Sequence, residues 1–164
     1  LADSIRKRIV ADLVAALEAV TAANGYQTDL GLQVETVFDA TSRFGTGRFG
    51  ATVQPEGGTR RDAQEFASEV LQVQVVAWAA LSRDPRTSQE PNGWDLIDAL
   101  CSDVARALVV DPSRGGLAHD TRLVSWAWQP GEDDQATIWV TWSVQVDYDH
   151  RYEDPSLDPS EVPL

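Results

Sequence analysis

Gly45-Thr46-Gly47-Arg48-Phe49-Gly50 spells G-x-G-x-x-G inside the stretch RFGTGRFG. Loops of this spacing can hold phosphates, because glycine lets the backbone approach an anion closely. In a dinucleotide fold the last glycine leads into a helix whose N-terminus carries the pyrophosphate. Here ATVQPEGG follows, which is β-prone and then broken by Pro55, Gly57 and Gly58, so no helix is expected. A kinase loop joins two strands, but it also needs a lysine on the next strand and an H-R-D loop. Lys7 is the sole lysine and H-R-D does not occur. The Gly-Lys pair of a Walker loop is missing as well. A small nucleotide-binding module is kept only as an alternative of a different class. What remains is a glycine-rich stretch that twice sets a cation beside an aromatic.

Other chemistry has little to build on. His119 and His150 are the only histidines and Cys101 is the only cysteine. They supply neither a nucleophilic triad nor a zinc cluster, and one thiol forms no internal disulfide. A single cysteine fits synthesis in a reducing compartment. Cys101 falls on an apolar helical stripe, where it reads as a small core residue. The carboxylates of GEDD (131–134) and EDPSLD (153–158) could attract a cation, but solvated turns and tails account for them more simply. No catalytic residue, cofactor or metal is expected.

The elements that would carry such residues follow from hydrophobic period. Ile5, Ile9, Leu13, Leu17 and Val20 recur at helical spacing over residues 4–23, with Ser4 or Asp3 as cap and Asn24-Gly25 as stop. Arg6, Lys7 and Arg8 stand in the first turn, where the helix dipole disfavours cations, so they read as a solvated or partner-facing patch. LQVETVF (32–38) predicts a short strand. Residues 39–67 read as a long loop, with RFGATVQ as one possible edge strand bearing Phe49, Ala51 and Val53 on one face. SEVLQVQVVAWAAL (68–81) predicts a long strand with Leu71, Val73, Val75, Ala77, Ala79 and Leu81 on one face. Its other face carries Val70, Val76 and Trp78 and should be covered too. A second helix is expected over 93–109, with Asn92 as its cap. DTRLVSWAWQ and ATIWVTWSVQVDYD then flank a Pro-Gly acidic turn, which is a hairpin signal. On the hairpin, Trp126, Trp128 and Trp142 fall on apolar parities and read as core. Trp139 falls on the polar parity, so it either lies under a covering segment or meets another subunit. Residues 150–164 are acidic and Pro-rich and read as an extended arm or a disordered tail. The whole is an α+β domain over 1–149, two helices on a mainly antiparallel sheet of four to five strands.

Composition agrees with one domain. The 164 residues suffice for a real core, and 43% hydrophobic content is ordinary. No apolar run is long enough to span a bilayer, and the opening stretch reads as an amphipathic helix rather than a signal peptide. The formal charge of −13 repels phosphate backbones, which disfavours nucleic-acid binding.

The opening SIRKRIVADLVAALEAVTAANGYQTDLG resembles the N-terminus of tail-terminator and tail-completion proteins of long-tailed bacteriophages. The shared features are the helix, the N-G-Y turn, a T-D-x-G segment and a following strand. The closing ATIWVTWSVQVDYDHRYEDP is similar to their last strand, with its aromatic and acidic exit. The resemblance covers most of the chain, apart from the long 39–67 stretch. It implies a virion protein without enzymatic activity. Such a protein assembles as a hexameric ring at the head-proximal end of the tail tube. There it stops tube polymerisation and meets the head connector. DNA passes through the ring without specific binding, and acidic walls would keep it from sticking. A head-completion or neck protein of the same junction is the near alternative.

Two regions are expected at the ring contacts. The Gly/Arg-rich loop could dock Arg43, Phe44, Arg48, Phe49, Arg60 and Arg61 on a neighbour's carboxylates and apolar pockets. The tail could lay Tyr148, Tyr152, Glu153 and Asp154 across the adjacent subunit, and Trp139 is the remaining interface candidate.

Overall fold

Ser4 opens the first helix, its hydroxyl accepting from the Lys7 amide at 3.3 Å. Helix α1 runs Ile5–Glu18 and buries Ile5, Ile9, Val10, Leu13 and Leu17 on the predicted stripe. A turn of 3-10 helix, Ala22–Asn24, and Gly25 at φ 79° complete the stop that Asn24-Gly25 predicts. The computed structural model describes residues 3–36, 48–62, 66–81, 93–130 and 137–151. Within them lie α2 (Gly93–Val109) and the strands β1 (Val34–Thr36), β2 (Phe49–Asp62), β3 (Phe66–Ala80), β4 (Asp120–Pro130) and β5 (Thr137–Arg151).

The strands form one sheet in the order β1-β2-β3-β5-β4. β1 pairs parallel with β2 and every other neighbour is antiparallel. Both helices pack on one face of this sheet around a single core, so the fold is α+β, as the sequence predicts. On β5, Ile138, Val140, Trp142, Val144, Val146 and Tyr148 alternate into that core. On β3, Ala67, Leu71, Val73, Val75, Ala77 and Ala79 do the same. Trp78 is 3% exposed and Val76 is 9% exposed, so the far face is covered at this end, as expected.

The long loop of the sequence reading is in large part strand. Residues 49–62 form β2, and β3 already begins at Phe66. Periodicity hides β2, because its pairing shifts by one residue between Pro55 and Gly57 and reverses the parity of faces. Such a bulge tolerates a proline and glycines that ordinarily argue against a strand. Gly57 has φ 148°, and a side chain on Gly58 would strike the Val70 carbonyl. Nor are residues 51–53 an edge, since β1 pairs on one side and β3 on the other. Of the predicted strand at 32–38, Leu32 lies in a 3-10 turn (Leu30–Leu32), Val34–Thr36 is strand, and residues 37–38 lie outside the described residues; the last strand reaches two residues past the predicted domain end. Asn92 lies outside the described residues.

Candidate functional site

The segment Asn24-Gly25-Tyr26-Gln27-Thr28-Asp29-Leu30-Gly31 is a clasp between the helices. The buried Asp103 of α2 accepts from the Gln27 amide at 3.1 Å, the Thr28 amide at 2.7 Å and the Thr28 hydroxyl at 2.8 Å. Arg106 lies over the Tyr26 ring, 4.5 Å from its centre, and donates to the Gly25 carbonyl at 2.8 Å. Asp29 accepts from the Ala22 amide at 2.7 Å. Gly31 seats against the end of α1, where an added Cβ would come within 2.4 Å of the Glu18 carbonyl oxygen. Each quoted position therefore has a packing or hydrogen-bonding task.

A second tie is made by Arg114, 1% exposed and in a left-handed backbone conformation. Its guanidinium donates to Asp12 of α1 at 3.2 Å, to Thr121 of β4 at 3.1 Å and to the Leu108 carbonyl of α2. Sequence reasoning passed over it, because one arginine in a Gly-rich turn carries no periodic signal.

At the open end of the core, Arg6, Glu69, Tyr148 and His150 meet. Arg6 donates to Glu69 at 2.6 Å and to the Tyr148 oxygen at 3.1 Å, and Tyr148 donates to the same Glu69 carboxylate. His150 Nε2 faces the other Glu69 oxygen at 3.1 Å, and its Nδ1 faces the Arg151 carbonyl at 2.8 Å. Burial alone would raise the Glu69 carboxyl, but the hydrogen bonds from Tyr148, Arg6 and His150 outweigh it and hold it at about 2. Burial, then the bond to Glu69, pushes the Tyr148 phenol up to about 12. The Glu69 bond also raises Arg6 above its ordinary value. Arg6 and Lys7 thus escape the unfavourable dipole by pairing, Lys7 with Asp3 at 2.7 Å. Tyr148 is 2% exposed, so the expectation that it lies across a neighbouring subunit is corrected. Its parity matches the core positions of β5, and the polar partners absorb its hydroxyl.

The remaining interface candidates scatter. Arg43, Phe44, Tyr152, Glu153 and Asp154 lie outside the described residues. Arg48 sits 5.3 Å from the centre of the Phe49 ring, and Phe49 is half-buried against the core. Arg60 pairs with Asp62 at 2.5 Å. Arg61 is exposed and lines a groove of about 370 Å³ on the sheet face away from the helices. His119, Arg122, Asp147 and Asp149 line the same groove, paired as His119–Asp149 at 2.8 Å and Arg122–Asp147 at 2.6 Å. Among the described residues, Arg48 and Arg61 stand at opposite ends of β2 and do not form one basic surface.

Gly50, the last glycine of the opening motif, leads into β2 and not into a helix. Its cross-strand partner is Trp78, and a Cβ on Gly50 would lie 2.1 Å from that indole. Trp139 is the next partner along the row, its ring centre 5.9 Å from that of Trp78. Gly50 thus makes room for the buried Trp78, which packs against its half-buried neighbour Trp139. Cys101 packs against the core, with burial and then Asp98 raising its thiol to about 11. It stays protonated at neutral pH, which suits a core residue better than a nucleophile.

Trp126 and Trp128 depart from expectation. Their register partners, Trp142 and Val140, confirm that they face the helix side. Yet they are 53% and 44% exposed, on the edge strand β4. Trp94 at the start of α2, itself 64% exposed, reaches the Trp128 edge at 5.8 Å between ring centres. Parity reveals the face of a strand but not its place in the sheet, which is why the sequence misleads here.

Among the described residues no cluster of His, Cys, Asp or Glu is placed to hold a metal ion, and no helix is long and apolar enough to cross a membrane. In comparisons with known proteins, the chain matches no family model and no curated protein.

Proposed function

We propose that this chain is a tail terminator of a long-tailed phage. In this role it forms a ring, hexameric as the resemblance implies, that caps the tail tube, halts its growth and meets the head connector. The observation that carries the proposal is the agreement between the resembling segments and the architecture. The N-G-Y and T-D-x-G positions form the clasp that sets α1 on α2. The closing segment is the interior strand β5, whose polar exit is fixed by Glu69 and Arg6. The shared residues therefore serve a scaffold, which is what a structural ring subunit requires. The acidic charge of −13 suits a channel that DNA traverses without adhering.

The test is a polymerisation assay with the tail tube protein of the same phage. Adding this chain should shorten the tubes and leave one end capped, as judged by electron microscopy. An unchanged length distribution with bare ends would refute the role. Arg48 directly precedes β2, the strand that pairs with edge strand β1, so Arg48→Glu should weaken assembly in the same assay. Undiminished capping by that variant would remove Arg48 from the contact.

A further inference from the structure

The register of the sheet places the β1 and β4 edges at the same level on opposite sides of the molecule. Val34, Ala51, Ala77, Val140 and Trp128 form one continuous cross-strand row. Thr36, Val53, Val75, Trp142 and Trp126 form the next. Cross-strand partners share a face, so both rows lie on the helix side. Each row begins at β1, beside Leu32, which is 77% exposed, and ends at an exposed tryptophan on β4.

Among the described residues neither outer edge has a strand partner. Natural proteins usually guard such edges with charge. This chain is 24% charged, yet Leu123 to Pro130 of β4 carries no charge at all. A pairing shift between Leu123 and Ser125 also turns Val124 outward, at 55% exposure. At roughly 250 Å² per indole, Trp94, Trp126 and Trp128 together expose about 400 Å², half of what one partner contributes to a standard interface. Strand pairing along the edge would add much of the rest.

We infer that the occupant of the β4 edge is the β1 edge of a second copy. β1 and β2 run parallel and the other three pairs antiparallel, so β4 runs opposite to β1 and meets β1 of a like-oriented neighbour antiparallel. Unshifted, the rows continue across the junction. Trp128 then lies beside the neighbour's Val34 and Leu32, and Trp126 lies beside its Thr36. The contact joins two different surfaces, so it repeats from copy to copy and closes as a ring when the rotation permits. This inference rests on the ring assembly proposed above and names its subunit contact.

Sedimentation of the full chain up to about 1 mM tests it. The wild type should self-associate, and Trp126→Glu with Trp128→Glu should weaken association at least 30-fold, about the loss of one hot-spot residue. Both side chains are exposed, so unfolding should change little. In a Cys101→Ser background, Thr36→Cys with Trp126→Cys should yield disulfide-linked multimers on oxidation. The two positions stand on opposite edges and cannot bridge within one copy. A wild type that stays monomeric overturns the inference, as does association untouched by the tryptophan changes or a cysteine pair that never cross-links. Association that survives the tryptophan changes leaves the ring itself standing and removes only this contact. Tube capping, measured independently, decides the ring's function.

Discussion

Glu69 is the residue on which the open end of the core depends. Its carboxyl titrates near 2 in the folded chain against 4.5 when unfolded, so the native state favours the charged form. That contribution is complete above pH 4.5 and is lost as pH falls toward 2. Urea denaturation across this range should show stability declining, and Glu69→Gln should flatten the decline. The same variant should lose about 1–3 kcal/mol at neutral pH, since Arg6 and His150 lose their charged acceptor. A variant with the wild-type acid profile would move the effect elsewhere. Tyr148 acts on the opposite limb. Its phenol is raised to about 12 from 10, so its contribution is present below pH 10 and is lost as pH rises toward 12. Tyr148→Phe should remove that alkaline loss at a cost of about 1 kcal/mol near neutrality. Gly50 offers a steric test. Gly50→Val should cost roughly 1–3 kcal/mol by displacing the Trp78 indole, visible as a changed tryptophan emission.

At the scale of elements, the clasp decides whether α1 and α2 sit correctly on the sheet. Asp103→Ala leaves the buried Thr28 amide and hydroxyl without an acceptor and should cost about 1–3 kcal/mol in thermal or urea unfolding. The exposed Asp98→Ala on the same helix is the control, expected within about 0.5 kcal/mol of wild type. These elements were also the most legible in the sequence. Ile5 to Leu17 and Leu96 to Leu108 carry an unbroken helical period, and Ile138 to Tyr148 an unbroken strand period, because each packs on one continuous core. β2 was not legible. Its bulge at Glu56 and its Pro-Gly-Gly content disguise a strand whose far half makes no apolar contribution. The surface was legible only in part. Trp139 was picked out by its polar parity, and it pairs with Trp78. Trp126 and Trp128 face the helix side as parity predicts but read as core, because the edge place of β4 follows from long-range pairing, which a local pattern does not contain. The Arg6–Glu69–His150 contacts join residues far apart in sequence and left no spacing to read.

For the whole molecule, charge and edge chemistry make opposite demands. Each copy carries −13, so copies repel at long range, while the β4 edge presents indoles without charge. Raising salt from about 50 to 500 mM shortens the screening length severalfold and should tighten self-association. Association that weakens with salt would instead place arginine–carboxylate pairs at the centre of the contact. The central claim is the location and role of the ring, and electron microscopy of the intact particle with this chain labelled tests it most directly. The account predicts one closed ring of labelled subunits at the head-proximal end of the tail tube. Label elsewhere on the particle, or a particle that lacks this chain, would contradict it.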